Sequence, residues 1–193
     1  MRIGNWLGYG SLWLASTLLM AGCATTPLES QQNLVLKERA GKFSVVTLAA
    51  NDDSESVQGS FVWRRLVSGW QLDLQSPLGA TLARLTVEPT GATLEQPDAP
   101  LRRAASGEDL LAGVLGAKVP LDVLEDWVDG RVIDDDKVTS LKRDRQGRIV
   151  SFNQAGWQVM FDRYGESGPA RVTAKGQQLG RSVTLRLIAE QPI

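Results

Sequence analysis

Histidine does not occur in the 193 residues, and cysteine occurs once. The first absence removes the side chain that most often acts as a general base near neutral pH and most often binds transition metals. With one thiol, an intramolecular disulfide and a multi-cysteine metal site are both excluded. No Gly-x-Ser-x-Gly elbow is present, so the serines lack the setting of a hydrolase nucleophile. Neither sign of charge is in excess: 21 Lys and Arg stand against 22 Asp and Glu, interspersed, so no basic stripe marks a nucleic-acid surface. Long apolar runs are missing too. The run from Leu12 to Met20 is interrupted upstream by Gly8-Tyr9-Gly10-Ser11 and is too short to span a bilayer comfortably.

What is present begins with that run. Arg2, the apolar stretch and the small residues Ala21 and Gly22 before Cys23 read as a signal peptide over residues 1–22. Its end, Leu19-Met20-Ala21-Gly22-Cys23, resembles the bacterial lipobox, with Met20 where leucine is commoner. The resemblance implies cleavage before Cys23 and acylation of its thiol, which uses up the only cysteine. The next residue is Ala24 and not Asp, which by similarity to enterobacterial lipoproteins implies export to the outer membrane. The expected address is the periplasmic face of that membrane, held by a lipid anchor. Residues 23–28 are then an acylated tether and 29–193 a single domain, long enough for a sizeable core.

Along that domain, Leu28, Gln31, Leu34, Val35 and Glu38 follow roughly helical spacing and predict an amphipathic helix over about 29–40, ending at Gly41. Period two follows. Val57, Gly59, Phe61 and Trp63 share one face, as do Trp70, Leu72 and Leu74, and then Ala83, Leu85 and Val87. The last two runs flank Ser76-Pro77-Leu78-Gly79, which has the residues of a type I turn and puts Leu78 at its tip. A helical interlude begins near Ser106, with Asp109 three positions on as an approximate capping box, and a second short helix runs from about Pro120 to Gly130. Strands return in the last third, with Trp157, Val159 and Phe161 on one face. No βαβ unit is visible, so the sheet is expected to be antiparallel, with the helices covering one face.

The remaining chemistry is sparse. Asp134 to Asp136 lack the spacing of a calcium loop, and a solvated turn accounts for them. Glu108 with Asp109, and Glu125 with Asp126, are adjacent on helices and do not face one another, so surface solubility accounts for both pairs. Trp63, Trp70, Trp127 and Trp157 fall on apolar faces. They either pack the core or line an apolar ligand cavity.

Four stretches in order behind the lipobox, "SPLGATLARL", "VPLDVLEDWVDG", "FNQAGWQVMFDRY" and "VTLRLIAE", resemble the LolB family of outer-membrane lipoproteins. The resemblance covers about Gly41 to Glu190, although the end "AEQPI" lacks the tryptophan often seen after the last strand. It implies a mainly β fold with some α: an incompletely closed antiparallel β-barrel, with short helices as a lid over an apolar cavity. It also implies a non-enzymatic function, in which lipoproteins are received from a LolA-like periplasmic carrier by their acyl chains and inserted into the outer membrane. The implied partners are that carrier, the acylated cargo and outer-membrane phospholipid, with no cofactor, metal or nucleic acid, and the chain is expected to be a monomer. Cys23 is the implied lipidation site, and Pro77, Leu78 and Gly79 the membrane-insertion loop. Phe61, Trp63, Trp70, Leu72, Trp127, Trp157 and Val159 are the candidates for the acyl cavity. The alternative is an outer-membrane lipoprotein with a structural or assembly role, whose tryptophans only pack. A periplasmic hydrolase is disfavoured by the missing histidine.

Overall fold

The computed structural model describes residues 34–133, 137–165 and 168–190. The alternating stretches become strands and the interlude becomes two helices. In chain order these are β1 (Val35–Leu48), β2 (Ser54–Leu66), β3 (Trp70–Gln75), β4 (Thr81–Glu88), β5 (Gly91–Glu95) and β6 (Arg102–Ala104), then α1 (Gly107–Leu115) and α2 (Leu121–Val128), and finally β7 (Thr139–Arg143), β8 (Ile149–Gln154), β9 (Trp157–Gly165), β10 (Gly168–Gln178) and β11 (Arg181–Ala189).

The strands form one sheet in the order β6-β5-β4-β3-β2-β1-β11-β10-β9-β8-β7. All neighbours are antiparallel. The first six strands step outward from β1, and the last five return to it. The chain must therefore cross from the β6 edge to the β7 edge midway, and it does so with α1 and α2. This topology lays the helices over the sheet as a cover. One continuous core joins Leu85 and Leu94 on one wing to Val159 and Val172 on the other, which requires the sheet to curl, and β6 does not pair with β7, so the curl stays unclosed. Gly59 supports the curvature: an added Cβ would lie 1.8 Å from the Gln75 carbonyl oxygen, so only glycine lets the end of β3 fold over β2.

The helix expected over 29–40 is corrected in its described part. Residues from Val35 onward are strand, in register with β2 from Val35↔Leu66 to Leu48↔Ser54 and with β11 from Gly41 on. Leu, Lys, Glu and Arg are good helix formers, but propensity is a weak preference, and the ladder of backbone hydrogen bonds to β2 outweighs it. Beyond Gly41, where the expected helix ended and period two was expected, Phe43, Val45 and Thr47 of β1 are buried in alternation. The stretch before Leu34, with the signal peptide and Cys23, lies outside the described residues, as do Asp134 to Asp136.

The helix ends follow from side-chain chemistry. Ser106 caps α1 by accepting from the Glu108 backbone N–H at 3.2 Å, and Gly116 ends it at φ +72°. Asp109 does not close a capping box. Its carboxylate instead meets Lys118 at 2.5 Å. Pro120 has no side chain to cap α2, and Glu108 does so from α1, its Oε1 accepting from the Leu121 N–H at 3.0 Å. Burial pushes the Glu108 carboxyl above its ordinary pKa despite that hydrogen bond.

Candidate functional site

Where the helices meet the sheet there is a cavity of about 30 Å³ whose lining exposes no polar surface. Phe43, Phe61, Trp63 and Leu72 contribute from the sheet, and Leu111, Leu115, Leu124 and Val128 reach down from the helices. The space is about that of one water, yet the lining offers water at most the indole N–H of Trp63, fewer partners than a buried water needs, so it is a dry seam. Its size is set by the helix side chains that fill it. The indole N–H of Trp63 has no hydrogen-bond partner although the residue is buried, and its ring stacks on Trp70 at 4.7 Å between centroids.

The two helices are held in different ways. Asp129, at the C-terminal end of α2, is gripped by Lys37, by Arg39 at 3.1 Å and by Arg131 at 3.0 Å, with its side chain almost wholly buried. Burial alone would raise its pKa, but the hydrogen bonds from Lys37 and Arg39 and the neighbouring charges outweigh it, so the carboxyl lies below its ordinary range. Glu125 pairs with Arg65, and Asp126 with Arg131 at 2.9 Å. Trp127 is fully buried and donates its indole N–H to Gln154 Oε1 at 2.8 Å, and Gln154 donates onward to the Ile133 carbonyl at 2.9 Å. Of the acidic pairs that looked like surface solubility, Glu108 thus fastens α1 to α2 and Glu125 fastens α2 to β2, while Asp109 and Asp126 pair with Lys118 and Arg131 just beyond their own helices. By contrast α1 is held by the burial of Leu110, Leu111 and Leu115 and by the segment after it. That segment is clamped at Lys118, whose backbone N–H donates to Gln178 Oε1 at 2.9 Å and whose carbonyl accepts from Gln178 Nε2 at 2.5 Å.

Outside the cavity, the turn at 76–79 closes with the Gly79 N–H donating to the Ser76 carbonyl at 2.9 Å, and Gly79 takes φ +86°. Leu78 is 97% exposed at its tip. A second ion cluster lies on the outer sheet face, where Asp73 receives Arg64 and Arg84, each at 2.6 Å. Burial opposes ionisation there, but the two guanidinium groups win and keep its pKa low.

The family model described as outer membrane lipoprotein LolB matches residues 39–191. The chain belongs to the LolB family. Its relatives include outer-membrane lipoprotein LolB of Bordetella petrii, 38% identical over 93% of this chain and 92% of that one, and LolB of Bordetella pertussis, 35% identical over 97% and 94%. LolB of Cupriavidus taiwanensis is 36% identical over 78% of this chain and 75% of its own. A crystal structure of a LolA superfamily protein from Nitrosomonas europaea is similar at a TM-score of 0.38 and 10% identity, covering 84% of this chain and 91% of that one. The assignment does not rest on it. Membership makes this an outer-membrane lipoprotein of lipoprotein localisation and not an enzyme. No described helix is long and apolar enough to cross a membrane.

Against this LolB background, the seven cavity candidates divide. Phe61, Trp63 and Leu72 line the apolar cavity. Trp70 lies behind Trp63 and is half-buried. Trp127 and Val159 are fully buried core residues off the lining, and Trp157 borders a separate open groove beside α1 and the β10–β11 turn. Sequence reasoning missed Phe43, Val45, Leu185 and Leu187 on the sheet side. The alternation in "KFSVVTL" and "SVTLRLIAE" carried that signal. The helix contributions, Leu111, Leu115 and Leu124, lie within the two expected helices, but nothing in the sequence said that those helices close a cavity.

Proposed function

We propose that the protein receives acylated lipoproteins from a LolA-like soluble carrier and inserts them into the outer membrane, holding their acyl chains in the apolar cavity beneath α1 and α2. It works as a monomer on the periplasmic face, tethered through acylated Cys23, without a cofactor. The single observation that carries this reading is the cavity lining, which is apolar throughout and is closed by two short helices. A cargo chain enters by displacing the helix leucines from the seam. Re-exposing one leucine costs about 1.5–3 kcal/mol, whereas an acyl chain gains about 0.8 kcal/mol per buried methylene, so two to four methylenes offset each leucine. A long chain therefore competes with several, and hand-off needs no nucleotide, only a more favourable acceptor at each step.

Release uses the 76–79 turn. Pro77 and Gly79 set the turn and Leu78 dips into the membrane interface, where its burial biases a transient contact without anchoring the domain. The test is transfer from a loaded LolA-like carrier to the soluble Cys23→Ala protein, comparing triacylated cargo with the same cargo lacking its acyl chains. The proposal expects only the acylated cargo to move and long-chain fatty acid to compete. Equal transfer of the unacylated form would favour a structural or assembly role.

A further inference from the structure

The β10–β11 hairpin turns on two residues, Leu179 and Gly180, between the paired Gln178 and Arg181. Both central residues have positive φ, +50° and +75°, as a type I′ turn requires. Glycine enters that region freely and asparagine readily, but leucine meets its own Cβ crowding there. The side chain gains nothing in return, since Leu179 is fully exposed. The fold also supplies its own comparison. The neighbouring β8–β9 hairpin makes the same two-residue turn with Ala155 at φ +50° and Gly156 at φ +78°, so the turn itself does not need a large apolar residue.

The register places this tip. Leu48↔Ser182 sets the β10–β11 turn at the C-terminal end of β1, while Lys42↔Ser60 and Ser60↔Gln75 make β3 run in the same direction as β1, so the 76–79 turn projects toward that same end. The first described residue, Leu34, lies at the opposite end. The two most exposed leucines, Leu78 and Leu179, thus stand on different hairpins that point in the same direction along the sheet. We propose that Leu179 is a second membrane-contacting residue, which enters the apolar interface of a phospholipid bilayer alongside Leu78. Leu179 stands at the rim of the open groove that Ala117, Pro120 and Trp157 also line and is itself fully exposed, and a bilayer meets such a tip without needing a complementary shape. Near the tip Arg181 pairs with Glu55 at 3.7 Å and Lys118 with Asp109 at 2.5 Å, and the adjoining β1–β2 turn adds Asp52 and Asp53, so the contact does not require anionic lipid.

The proposal rests on the membrane-facing reading of the 76–79 turn for its direction of approach, and the test separates the two. The lipidated full chain carrying Leu179→Cys with an environment-sensitive dye is reconstituted in phosphatidylcholine vesicles, and in vesicles with added phosphatidylglycerol. Gln146→Cys, in the exposed β7–β8 turn at the other end, is the control. The dye at 179 is expected to shift to the blue equally in both lipids, and the dye at 146 to stay unshifted. Leu179→Asn should raise the melting temperature, because asparagine suits the turn, and should lower vesicle affinity of the soluble form roughly tenfold, the factor for removing one buried leucine. A water-exposed dye at 179, or an Asn variant with unchanged vesicle affinity, overturns the proposal. A blue-shifted dye at 179 with normal cargo release by Leu78→Glu upholds it and removes the reading of the 76–79 turn.

Discussion

The indole of Trp127 donates to the Gln154 side-chain oxygen at 2.8 Å with both residues buried, fixing α2 to the end of β8. Together with the grip on Asp129, this ties α2 to β8 and β1 by polar contacts, whereas α1 is held by its buried leucines and by the Lys118–Gln178 clamp. Replacing Gln154 by Leu strands the indole N–H and frees the Ile133 carbonyl. The expected loss is about 1–3 kcal/mol, read as a lowered midpoint in urea denaturation. An unchanged midpoint would mean that α2 is held by its apolar face alone.

The Asp129 grip makes a pH prediction. Its folded pKa lies below the ordinary value, so its contribution is fully present above that value and is lost as pH falls through the folded pKa. Asp73 acts in the same direction from the outer face. Wild-type stability should therefore fall as pH drops below about 4. The Asp129→Asn variant should be less stable near neutral pH, by on the order of 2 kcal/mol, and should show a shallower decline in acid. Denaturation midpoints from neutral pH into acid check this, and parallel curves for the two proteins would contradict it.

Gln178 tests the α1 side of the cover. Its amide holds the Lys118 backbone at both donor and acceptor, and Gln178→Ala removes both contacts. If opening of α1 limits entry, losing about 1 kcal/mol from the closed state should speed uptake of a fluorescent fatty acid roughly fivefold, with global stability little changed. Stopped-flow mixing gives the rate. An unaltered rate would place the limiting motion elsewhere.

Leu78 separates holding cargo from releasing it. Its side chain is exposed, so Leu78→Glu should shift stability by less than about 0.5 kcal/mol and leave acceptance from the carrier intact. Release into vesicles should fall, because a carboxylate resists entering hydrocarbon. A liposome transfer assay with preloaded protein reads this. Normal release would reduce Leu78 to a turn residue.

The sheet was legible because its strands alternate and are separated by strong turn residues. Trp70↔Val87, Leu72↔Leu85 and Leu74↔Ala83 pair across the Ser76-Pro77-Leu78-Gly79 turn as their spacing implied. β1 was misread because its N-terminal half presents Lys37 and Arg39 to Asp129 far along the chain, and a long-range ion pair leaves no local periodicity. The cavity was only half legible. Phe61, Trp63 and Leu72 declare an apolar face, but whether that face meets a void, a helix or plain core depends on how the crossing from β6 to β7 drapes over it. Trp157 has the same alternation and faces a different groove.

The claim that acyl chains occupy the seam under α1 is tested most directly by photo-crosslinking. A photoreactive amino acid is placed at Leu111, which lines the cavity from α1, or at Trp157, which borders the outer groove, and each protein is loaded with lipoprotein labelled in its acyl chains. The account predicts acyl-chain adducts at position 111 and none at 157. Adducts at 157 with none at 111 would move the lipid out of the cavity and contradict it.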